Sequence, residues 1–445
     1  MHPMDNRTGL APNGGPGPAG AAGAGISRAA PQSIQELGLP PLFLGQLTLK
    51  HCFYMDVFTL GDLVDRLKIS ATIISQVLDY LKRAKWVEVR GPDPINPAVS
   101  SLSLANRHSL NDGGRRQAAQ LLEYDAYAGP APVVLADYWE QVTRQGIGKA
   151  GVTPDRIQRA LQALVLSPEI VEQVGVAAVS GKPLFIYGPA GNGKTAISQC
   201  LGRIWEDDIL VPYALYVDGQ VIQVFDEITH APSQGAAPEG ERADQRWVRC
   251  RRPLVTVGGE LTLDMLELTY KPTLKYFEAP LQLKANNGVF IVDDFGRQRL
   301  APQELLNRWI IPLENRQDFL RLRTGRKFAI PFDQLIVFAT NLEPHTLVDE
   351  AFLRRLRSKV KVDYVNRPQF VEIFRLYCEQ FHLEFNSEAV EYLLARYYDG
   401  GQRPLTACHP RDLLEQILDY CRFHQLTPRL TPANLDRACH SYFIA

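Results

Sequence analysis

Apolar and polar residues follow two different periods along the chain, and these periods predict its elements. From Thr59 to Leu81 the apolar positions recur at helical spacing, and Thr59 with Asp62 forms the pattern of a capping box. The stretch WVEVR then alternates as a strand does, and SSLSLA follows a Pro-rich turn as its return strand. Residues 34–128 are therefore predicted to form one small domain of helices with a two-stranded sheet.

After this domain the pattern changes to short apolar runs separated by helical segments. Helices are predicted over Ala136–Gln145 and Pro154–Val174, within linker helices that span residues 129–173. The apolar runs are PLFIYG, GVFIVDD, QLIVFATN and SKVKVDYV. Buried strands that alternate with helices indicate an α/β fold with a parallel sheet covered on both faces, here over residues 174–366. Residues 367–445 are helical throughout, and residues 1–33 are too poor in large apolar side chains to fold.

Composition excludes several classes of protein. Of the 445 residues 45% are hydrophobic, the formal net charge is -1, and the seven cysteines include no CxxC pair. This is typical of a globular protein in a reducing compartment, without a disulfide framework or a zinc site. Apolar runs fall short of the roughly 18 residues that a membrane span needs, and the N-terminus lacks the pattern of a secretory signal. We expect a cytoplasmic protein with no membrane insertion.

The most specific motif is a phosphate-binding loop. A strand over Leu184–Tyr187 runs into GPAGNGKT, and a helix follows, which is the context that G-x-x-x-x-G-K-[ST] requires. Such a loop turns backbone N–H groups toward phosphates, and a helix N-terminus adds positive partial charge. The predicted nucleotide-binding residues are Gly188, Pro189, Ala190, Gly191, Asn192, Gly193, Lys194, Thr195 and Ala196. Lys194 is expected to reach the β- and γ-phosphates of ATP, and the hydroxyl of Thr195 to hold Mg²⁺.

Two adjacent acids end the apolar run GVFIVDD. Downstream of a phosphate loop, such a strand end is expected to carry acidic residues of the nucleotide site. Asp293 is predicted to hold Mg²⁺, and Asp294 to orient or deprotonate the attacking water.

From about Val174 onward, several motifs in order resemble the AAA+ ATPase family. LIVFATN is similar to the sensor-1 strand, which gives Asn341 the role of positioning the water. VDEAFLRRLRSKV is similar to the segment with the arginine finger, so Arg354 and Arg355 are candidates, with Arg357 as a further one. CHPRDLLEQIL is similar to the sensor-2 helix of a helical lid, which assigns Arg411 to the γ-phosphate. The family implies a Mg²⁺-dependent ATPase in a homo-oligomeric ring, normally a hexamer.

Asp294 departs from the Glu that is common at its position. Asp is one methylene shorter, and a base must come within roughly 3 Å of its water. Asp-Asp resembles the corresponding strand end of AAA+ replication initiators and helicase loaders, so the resemblance implies a working but slow ATPase.

Two insertions point to a branch of the family. About a hundred residues separate Lys194 from Asp293, and they include Asp218-Gly219 between alternating segments, a strong hairpin signal. A second predicted hairpin turns at TGRK, residues 324–327. It resembles the pre-sensor-1 hairpin of MoxR-like and enhancer-binding-type AAA+ proteins. With GGELTLDMLEL and LLNRWIIPLE, the chain also resembles a bacterial subfamily of chaperone-like ATPases associated with Flp-type pilus assembly.

The role of the N-terminal domain leaves two hypotheses open. Its element order resembles a winged-helix domain, a class that docks proteins or binds DNA. Gln76 is a typical base-reading residue, whereas Lys82, Arg83 and Lys85 lie at the far end of the helix. The first hypothesis is a chaperone-like ATPase that remodels a protein substrate, such as a pilus or secretion component. The second is a DNA-directed regulator that ATP switches. Tyr270, Tyr276 and Phe277 are interpreted as core aromatics, with a pore lining as the alternative.

Overall fold

A computed structural model of the chain describes residues 27–92, 106–233, 243–347, 353–354, 356–399 and 403–443. Residues 1–33, which were expected not to fold, therefore lie mostly outside the described residues. Arg355 also lies outside them. Chain contacts begin before residue 34, because Arg28 pairs with Asp137 at 3.1 Å and Ser33 caps the first helix.

The N-terminal region contains the helices predicted between Thr59 and Leu81 and the strand predicted at WVEVR. The return strand predicted at SSLSLA, residues 100–105, lies outside the described residues, and the observed return strand begins at Asn106. The described elements of this region follow in chain order. They are α1 (Ile34–Leu37), α2 (Pro41–Phe53), α3 (Leu60–Leu67), α4 (Ala71–Arg83), β1 (Val87–Pro92), β2 (Asn106–Leu110) and α5 (Asp112–Tyr124). Thr59 and Asp62 form the complete capping box at the start of α3. The strands β1 and β2 pair in antiparallel fashion. Buried leucine, isoleucine and valine side chains of α2, α3 and α4 make one core with β1 and β2.

The segment between this region and the phosphate loop folds as β3 (Val133–Val134), α6 (Leu135–Arg144), α7 (Pro154–Leu161) and α8 (Pro168–Ser180). The single helix predicted over Pro154–Val174 was wrong, because the chain leaves the helix after Leu161 and restarts at Pro168. Proline suits the first turn of a helix and disfavours helical geometry in the residue before it. Ser167 accordingly caps α8. Helix α8 crosses the expected boundary at residue 174 and packs against the core of the sheet.

A five-stranded parallel sheet forms the centre of the molecule, which confirms the α/β fold class. Its strands are β4 (Leu184–Tyr187), β9 (Leu254–Val257), β12 (Val289–Val292), β15 (Leu335–Thr340) and β16 (Ser358–Lys361), in the spatial order β16-β4-β15-β12-β9. All four pairings are parallel. Alternate residues of β4 and β12 face opposite sides, so the sheet has an apolar core on each face. Four strands match the predicted apolar runs, and β9 is the strand that the pattern missed.

The insertion between the phosphate loop and β12 builds a second sheet. The remaining elements up to β12 are α9 (Lys194–Cys200), β5 (Asp208–Pro212), β6 (Ala214–Val217), β7 (Gln220–Gln223), β8 (Trp247–Arg251), β10 (Thr269–Lys271), β11 (Tyr276–Glu278) and α10 (Leu281–Lys284). Strands β10-β11-β7-β6-β3 form one mixed sheet. The hairpin predicted at Asp218-Gly219 is confirmed, since Val217 pairs with Gln220 and both turn residues have positive φ, 52° and 82°.

The N-terminal region packs on this second sheet. The rings of Phe43 and Tyr216 lie 4.6 Å apart, and those of Tyr127 and Tyr276 lie 5.4 Å apart. Phe277 is only 2% exposed, and Tyr270 packs against it. These aromatics therefore belong to the core, as interpreted.

Between β12 and β16 lie α11 (Pro302–Asn315), β13 (Gln317–Arg321), β14 (Lys327–Pro331) and α12 (Pro344–Leu347). Strands β13 and β14 pair as the second predicted hairpin. The C-terminal region consists of α13 (Arg367–Gln380), α14 (Ser387–Leu393), α15 (His409–Phe423) and α16 (Pro432–Tyr442), with a π-helical turn at Leu394–Asp399. These helices share a separate apolar core, and we call them the lid. In the part of the chain that the structure describes, no helix is long and apolar enough to cross a membrane.

Candidate functional site

The phosphate loop joins the end of β4 to the start of α9. Gly188, Gly191 and Gly193 have φ values of 137°, 78° and 85°, which only glycine adopts readily. At Gly188 a Cβ atom would also lie 2.1 Å from the carbonyl oxygen of Val362. The loop can therefore pass close to β16 and curl back over the N-terminus of α9.

Lys194 lies inside this curl. Its Nζ donates hydrogen bonds to the carbonyl oxygens of Gly188 at 2.9 Å and Pro189 at 2.7 Å. Burial lowers the pKa of the Lys194 ammonium, and the carboxylates of Asp294 and Asp293 oppose that shift. The loop thus holds the positive charge of Lys194 at the N-terminus of α9, and a cation beside a helix N-terminus suits an anionic ligand.

Asp293 lies opposite the first turn of α9. The Thr195 hydroxyl donates to Asp293, with its Oγ1 at 2.9 Å from Oδ2 and 3.1 Å from Oδ1. A hydroxyl and a carboxylate side by side form the oxygen donor set that Mg²⁺ prefers. The pair fits the predicted metal site.

Asp294 faces a different partner. Its backbone has a φ of 49°, and its side chain contacts the end of β15. There Asn341 Nδ2 donates to Asp294 Oδ1 at 3.2 Å. The two acids of one strand end thus contact separate groups, Thr195 and Asn341.

Gln298, which the sequence analysis did not identify, stabilises the turn that begins at these acids. Gln298 Nε2 donates to the Asp293 carbonyl at 2.9 Å, and the Gly296 N–H donates to Gln298 Oε1 at 2.8 Å. Thr340 Oγ1 donates to the Phe295 carbonyl at 2.6 Å and ties the same turn to β15. A Gln five residues after the first acid carries no motif signal, so only the folded turn reveals its role.

A cavity of about 460 Å³ joins these groups to the lid. Of the predicted residues it is lined by Ala190, Gly191, Asn192, Gly193, Lys194, Thr195, Ala196, Asp293, Asp294, Asn341 and Arg411. Gly188 and Pro189 do not line the cavity, but their carbonyl oxygens accept hydrogen bonds from Lys194. Arg411 stands on the first turn of α15, where it pairs with Asp412 at 2.8 Å. Arg354 and Arg357 are exposed and are not among the described residues that line the cavity.

The far wall of the cavity is mostly apolar and was not predicted. It consists of residues 163–166, before α8, with Ile373, Leu376, Tyr377 and Gln380 of α13. Drug-sized ligands generally occupy pockets of about 300–1,000 Å³, so this cavity has the size for a nucleotide. Its polar end suits phosphates and a cation, and its apolar end suits a heterocyclic base.

Comparisons with known proteins match parts of the chain. Residues 366–441, the lid, match a family model described as "Domain of unknown function (DUF8689)". Over 70 residues the chain is 34% identical to an "AAA ATPase forming ring-shaped complexes" of Micrococcus luteus, a match that covers 16% of this chain and 12% of that protein.

Solved structures show limited likeness. NtrX from Brucella abortus in complex with ADP matches 62% of this chain and 56% of its own, with 16% identity and a TM-score of 0.38. Domain III of the Thermotoga maritima replication initiation protein DnaA matches 66% of this chain and 100% of its own, with 15% identity and a TM-score of 0.36. The Thermotoga maritima RuvB Holliday junction branch migration motor matches 63% and 70%, with 12% identity and a TM-score of 0.36.

Proposed function

We propose that this chain is a Mg²⁺-dependent ATPase of the AAA+ class that acts as a homo-oligomeric ring. The observation that carries the proposal is the convergence of Lys194, the Thr195–Asp293 pair, the Asp294–Asn341 pair and Arg411 on one cavity. The local match to a curated AAA ATPase supports the class and the ring. These side chains come from the phosphate loop, two other strand ends and the lid, so their meeting is a property of the fold.

Each side chain has a task in ATP hydrolysis. Lys194 neutralises phosphate charge, and Thr195 with Asp293 binds Mg²⁺, which neutralises the charge that develops on the phosphate oxygens. Asp294 accepts a proton from the attacking water, and Asn341 fixes the Asp294 carboxylate and that water. Arg411 contacts the γ-phosphate from the lid. An arginine of a neighbouring subunit, Arg354, Arg355 or Arg357, completes the site and makes hydrolysis depend on assembly.

The test is phosphate release and binding of a fluorescent ATP analogue by the wild-type protein, Lys194→Ala and the control Lys149→Ala. Lys149 is exposed and bonds the Thr143 carbonyl, away from the cavity. We expect Lys194→Ala to lose binding and hydrolysis, Lys149→Ala to behave as wild type, and the rate per subunit to rise with protein concentration. Hydrolysis by Lys194→Ala at the wild-type rate would refute the nucleotide site, and a fully active monomer would refute the arginine in trans.

The finer proposal is a chaperone-like cytoplasmic machine, a hexamer that remodels a protein partner such as a pilus or secretion component. The N-terminal region packs on the insertion sheet, and this placement supports the proposal. A partner bound by the N-terminal region would lie next to a sheet that is continuous in sequence with the nucleotide-binding strands. The test is capture of a partner protein by the hydrolysis-deficient Asp294→Asn variant. Capture of one partner in repeated experiments with ATP, and its release when ADP replaces ATP, would support this role. Capture that is independent of nucleotide would contradict it.

A second candidate is a DNA-directed regulator whose winged helix binds duplex DNA. It is favoured by the exposure of Thr72, Ser75 and Gln76 on α4, the helix that would enter the major groove. Fluorescence anisotropy with the full chain and a duplex at low salt tests it. Binding that weakens steeply with salt is expected for this function, and no binding at low salt would exclude it.

A further inference from the structure

The lid touches the phosphate loop just before α15, the helix that carries Arg411. Two consecutive backbone N–H groups of the lid point at the loop. The Cys408 N–H donates to the Gly191 carbonyl at 2.9 Å, and the Ala407 N–H donates to Asn192 Oδ1 at 3.1 Å. Cys408 is the N-cap of α15 and makes no side-chain capping bond. The start of the helix is therefore held by a different domain.

The fit at this junction is close. A Cβ atom at Gly191 would lie 2.7 Å from Cys408 Sγ and 2.8 Å from Thr406 Cγ2, so the loop and the lid leave no room for a side chain there. Asn192 is 3% exposed although it is polar. Its Nδ2 lies 3.4 Å from the carbonyl oxygens of both Pro189 and Ala190. One end of the Asn192 amide thus contacts the curl of the loop, and the other holds the lid.

This junction fixes the location of Arg411. Arg411 follows Cys408 by three residues and lies within the first turn of α15, so its backbone cannot move far relative to the loop while both bonds persist. Any movement of the Asn192 side chain would act on the start of α15 through the bond from the Ala407 N–H. Sequence patterns give no sign of this, because the residue at this position of the phosphate motif is variable by definition.

We propose that Asn192 is a positioning residue that couples the phosphate loop to the lid and thereby holds Arg411 over the cavity. The inference rests on the proposed ATPase function. It assigns Asn192 no contact with the reacting atoms. Its effect on turnover passes through Arg411.

The experiment compares wild type, Asn192→Ala, Arg411→Ala and the double variant, with Asn434→Ala as a lid control away from the junction. For each protein the Kd of ADP, the Kd of a non-hydrolysable ATP analogue, kcat and KM are measured. Loss of one hydrogen bond corresponds to roughly threefold to tenfold in an equilibrium constant. We expect Asn192→Ala to raise the Kd of the ATP analogue by about that factor relative to the Kd of ADP, and to lower kcat. In the Arg411→Ala background the same change should have little further effect.

A second measurement reads the junction directly. Hydrogen exchange of the peptide from Arg403 to Asp412 should accelerate in Asn192→Ala and stay unchanged in Asn434→Ala, with the same unfolding midpoint in both. Additive effects of Asn192→Ala and Arg411→Ala, or unchanged exchange, would overturn the coupling while leaving the ATPase proposal standing. If wild-type protein bound neither nucleotide, the proposed function would fail and the inference with it, so the two failures are distinguishable.

If Asn192→Ala fails to fold, Ala407→Pro provides the variant. Proline removes the N–H that Asn192 accepts and leaves the loop sequence intact. The same loss of discrimination between the ATP analogue and ADP is expected. Wild-type discrimination in a folded Ala407→Pro protein would overturn the inference.

Discussion

Two pairs of polar residues flank the strand β12, and the structure uses them in opposite ways. Asn286 and Asn287 precede the strand and are 5% and 1% exposed. Asp293 and Asp294 follow it and line the cavity. In the sequence ANNGVFIVDDFG the two pairs look alike, each a polar doublet beside a buried run. The difference lies in what surrounds them.

The asparagine pair is saturated by protein partners. Asn286 donates to the Tyr138 hydroxyl and the Pro331 carbonyl, and accepts from the Asp333 N–H, each at 2.9 Å. Asn287 donates to the Val142 carbonyl at 3.0 Å and Asp333 Oδ2 at 2.6 Å, and accepts from Gln145 at 2.8 Å. These bonds join α6 and the end of the β13–β14 hairpin to the amino edge of the sheet. A buried polar group with its full set of partners stabilises and has no capacity left for a ligand.

The aspartate pair retains that capacity. A carboxylate has about four acceptor sites, and Asp294 Oδ1 accepts from Asn341 at the edge of a cavity. A polar doublet beside a strand therefore indicates function at the carboxyl edge of a parallel sheet, where loops leave space for a ligand. At the amino edge the same pattern indicates a structural network.

The largest expected effect is a loss of turnover on substitution of an aspartate, which distinguishes the aspartate pair from the asparagine pair. Asp294→Asn should leave ATP binding intact and lower turnover by about 100-fold to 10,000-fold, the usual contribution of a general base. Asn tolerates the positive φ of 49° at this position, and the hydrogen bond from Asn341 can persist, so the unfolding midpoint should not change.

Asp218→Asn is the matched control, since Asp218 also has a positive φ, of 52°, but lies in the exposed hairpin. It should hydrolyse ATP at the wild-type rate. Phosphate release by Asp294→Asn at a rate equal to this control would remove Asp294 from the chemistry.

The second effect concerns the asparagines. Asn287 has a φ of 63°, so Asn287→Gly removes its side chain without backbone strain. Because it leaves buried groups such as the Val142 carbonyl without their partner, we expect the free energy of unfolding to fall by about 2–4 kcal/mol. Turnover per folded molecule should remain that of wild type.

Urea denaturation measures the change, with Gln425→Gly as control, because Gln425 has a φ of 57° and is exposed. That control should stay within about 0.5 kcal/mol of wild type. If Asn287→Gly lost turnover and kept its stability, the assignment of the two pairs would be reversed.

A change of pH tests stability at a site remote from both pairs. Burial lowers the pKa of His51 from 6.5 to about 4, and Lys50 and Arg66 act in the same direction. His51 Nε2 donates to the Gly129 carbonyl at 2.9 Å, and its buried Nδ1 has no partner among the described residues. The unfolded chain binds a proton below pH 6.5 and the folded chain does so only near pH 4. The contribution of His51 is therefore present above pH 6.5 and is lost as the pH falls through this window.

Between pH 7 and pH 5 this loss amounts to about 2 kcal/mol in the free energy of unfolding. In His51→Gln, which cannot titrate but can donate to Gly129, the pH dependence should be shallower by that amount. Equal slopes for the two proteins in urea denaturation at pH 7, 6 and 5 would contradict the role of His51.

The parts that sequence could predict are contiguous motifs that stand at the ends of parallel strands. The phosphate loop, the acid pair and Asn341 each end a strand, and parallel strands bring their ends to one edge, so their meeting followed from the pattern. The helix start at Ser167-Pro168 had a sequence signal, a capping serine followed by proline. The helical spacing of the apolar residues around it concealed that signal. Residues 163–166, the wall from α13 and the Asn192 junction had none, because each depends on contacts between segments far apart in the chain.

Gln298 is an intermediate case and sets the smallest expected effect. Like the asparagines its amide is bonded to backbone at both ends, yet it stands beside the aspartates and holds the turn that aims them. Gln298→Ala should lower kcat by roughly threefold to tenfold, because a less ordered turn spreads the position of the Asp294 carboxylate. The loss of stability should stay at about 1 kcal/mol, since Asp293 and Gly296 are only partly buried and one hydrogen-bonding side chain is lost. Gln298→Glu retains the acceptor for Gly296 and should recover part of kcat. A variant that lost stability by several kcal/mol with unchanged kcat would place Gln298 with the asparagines, as part of the structural network.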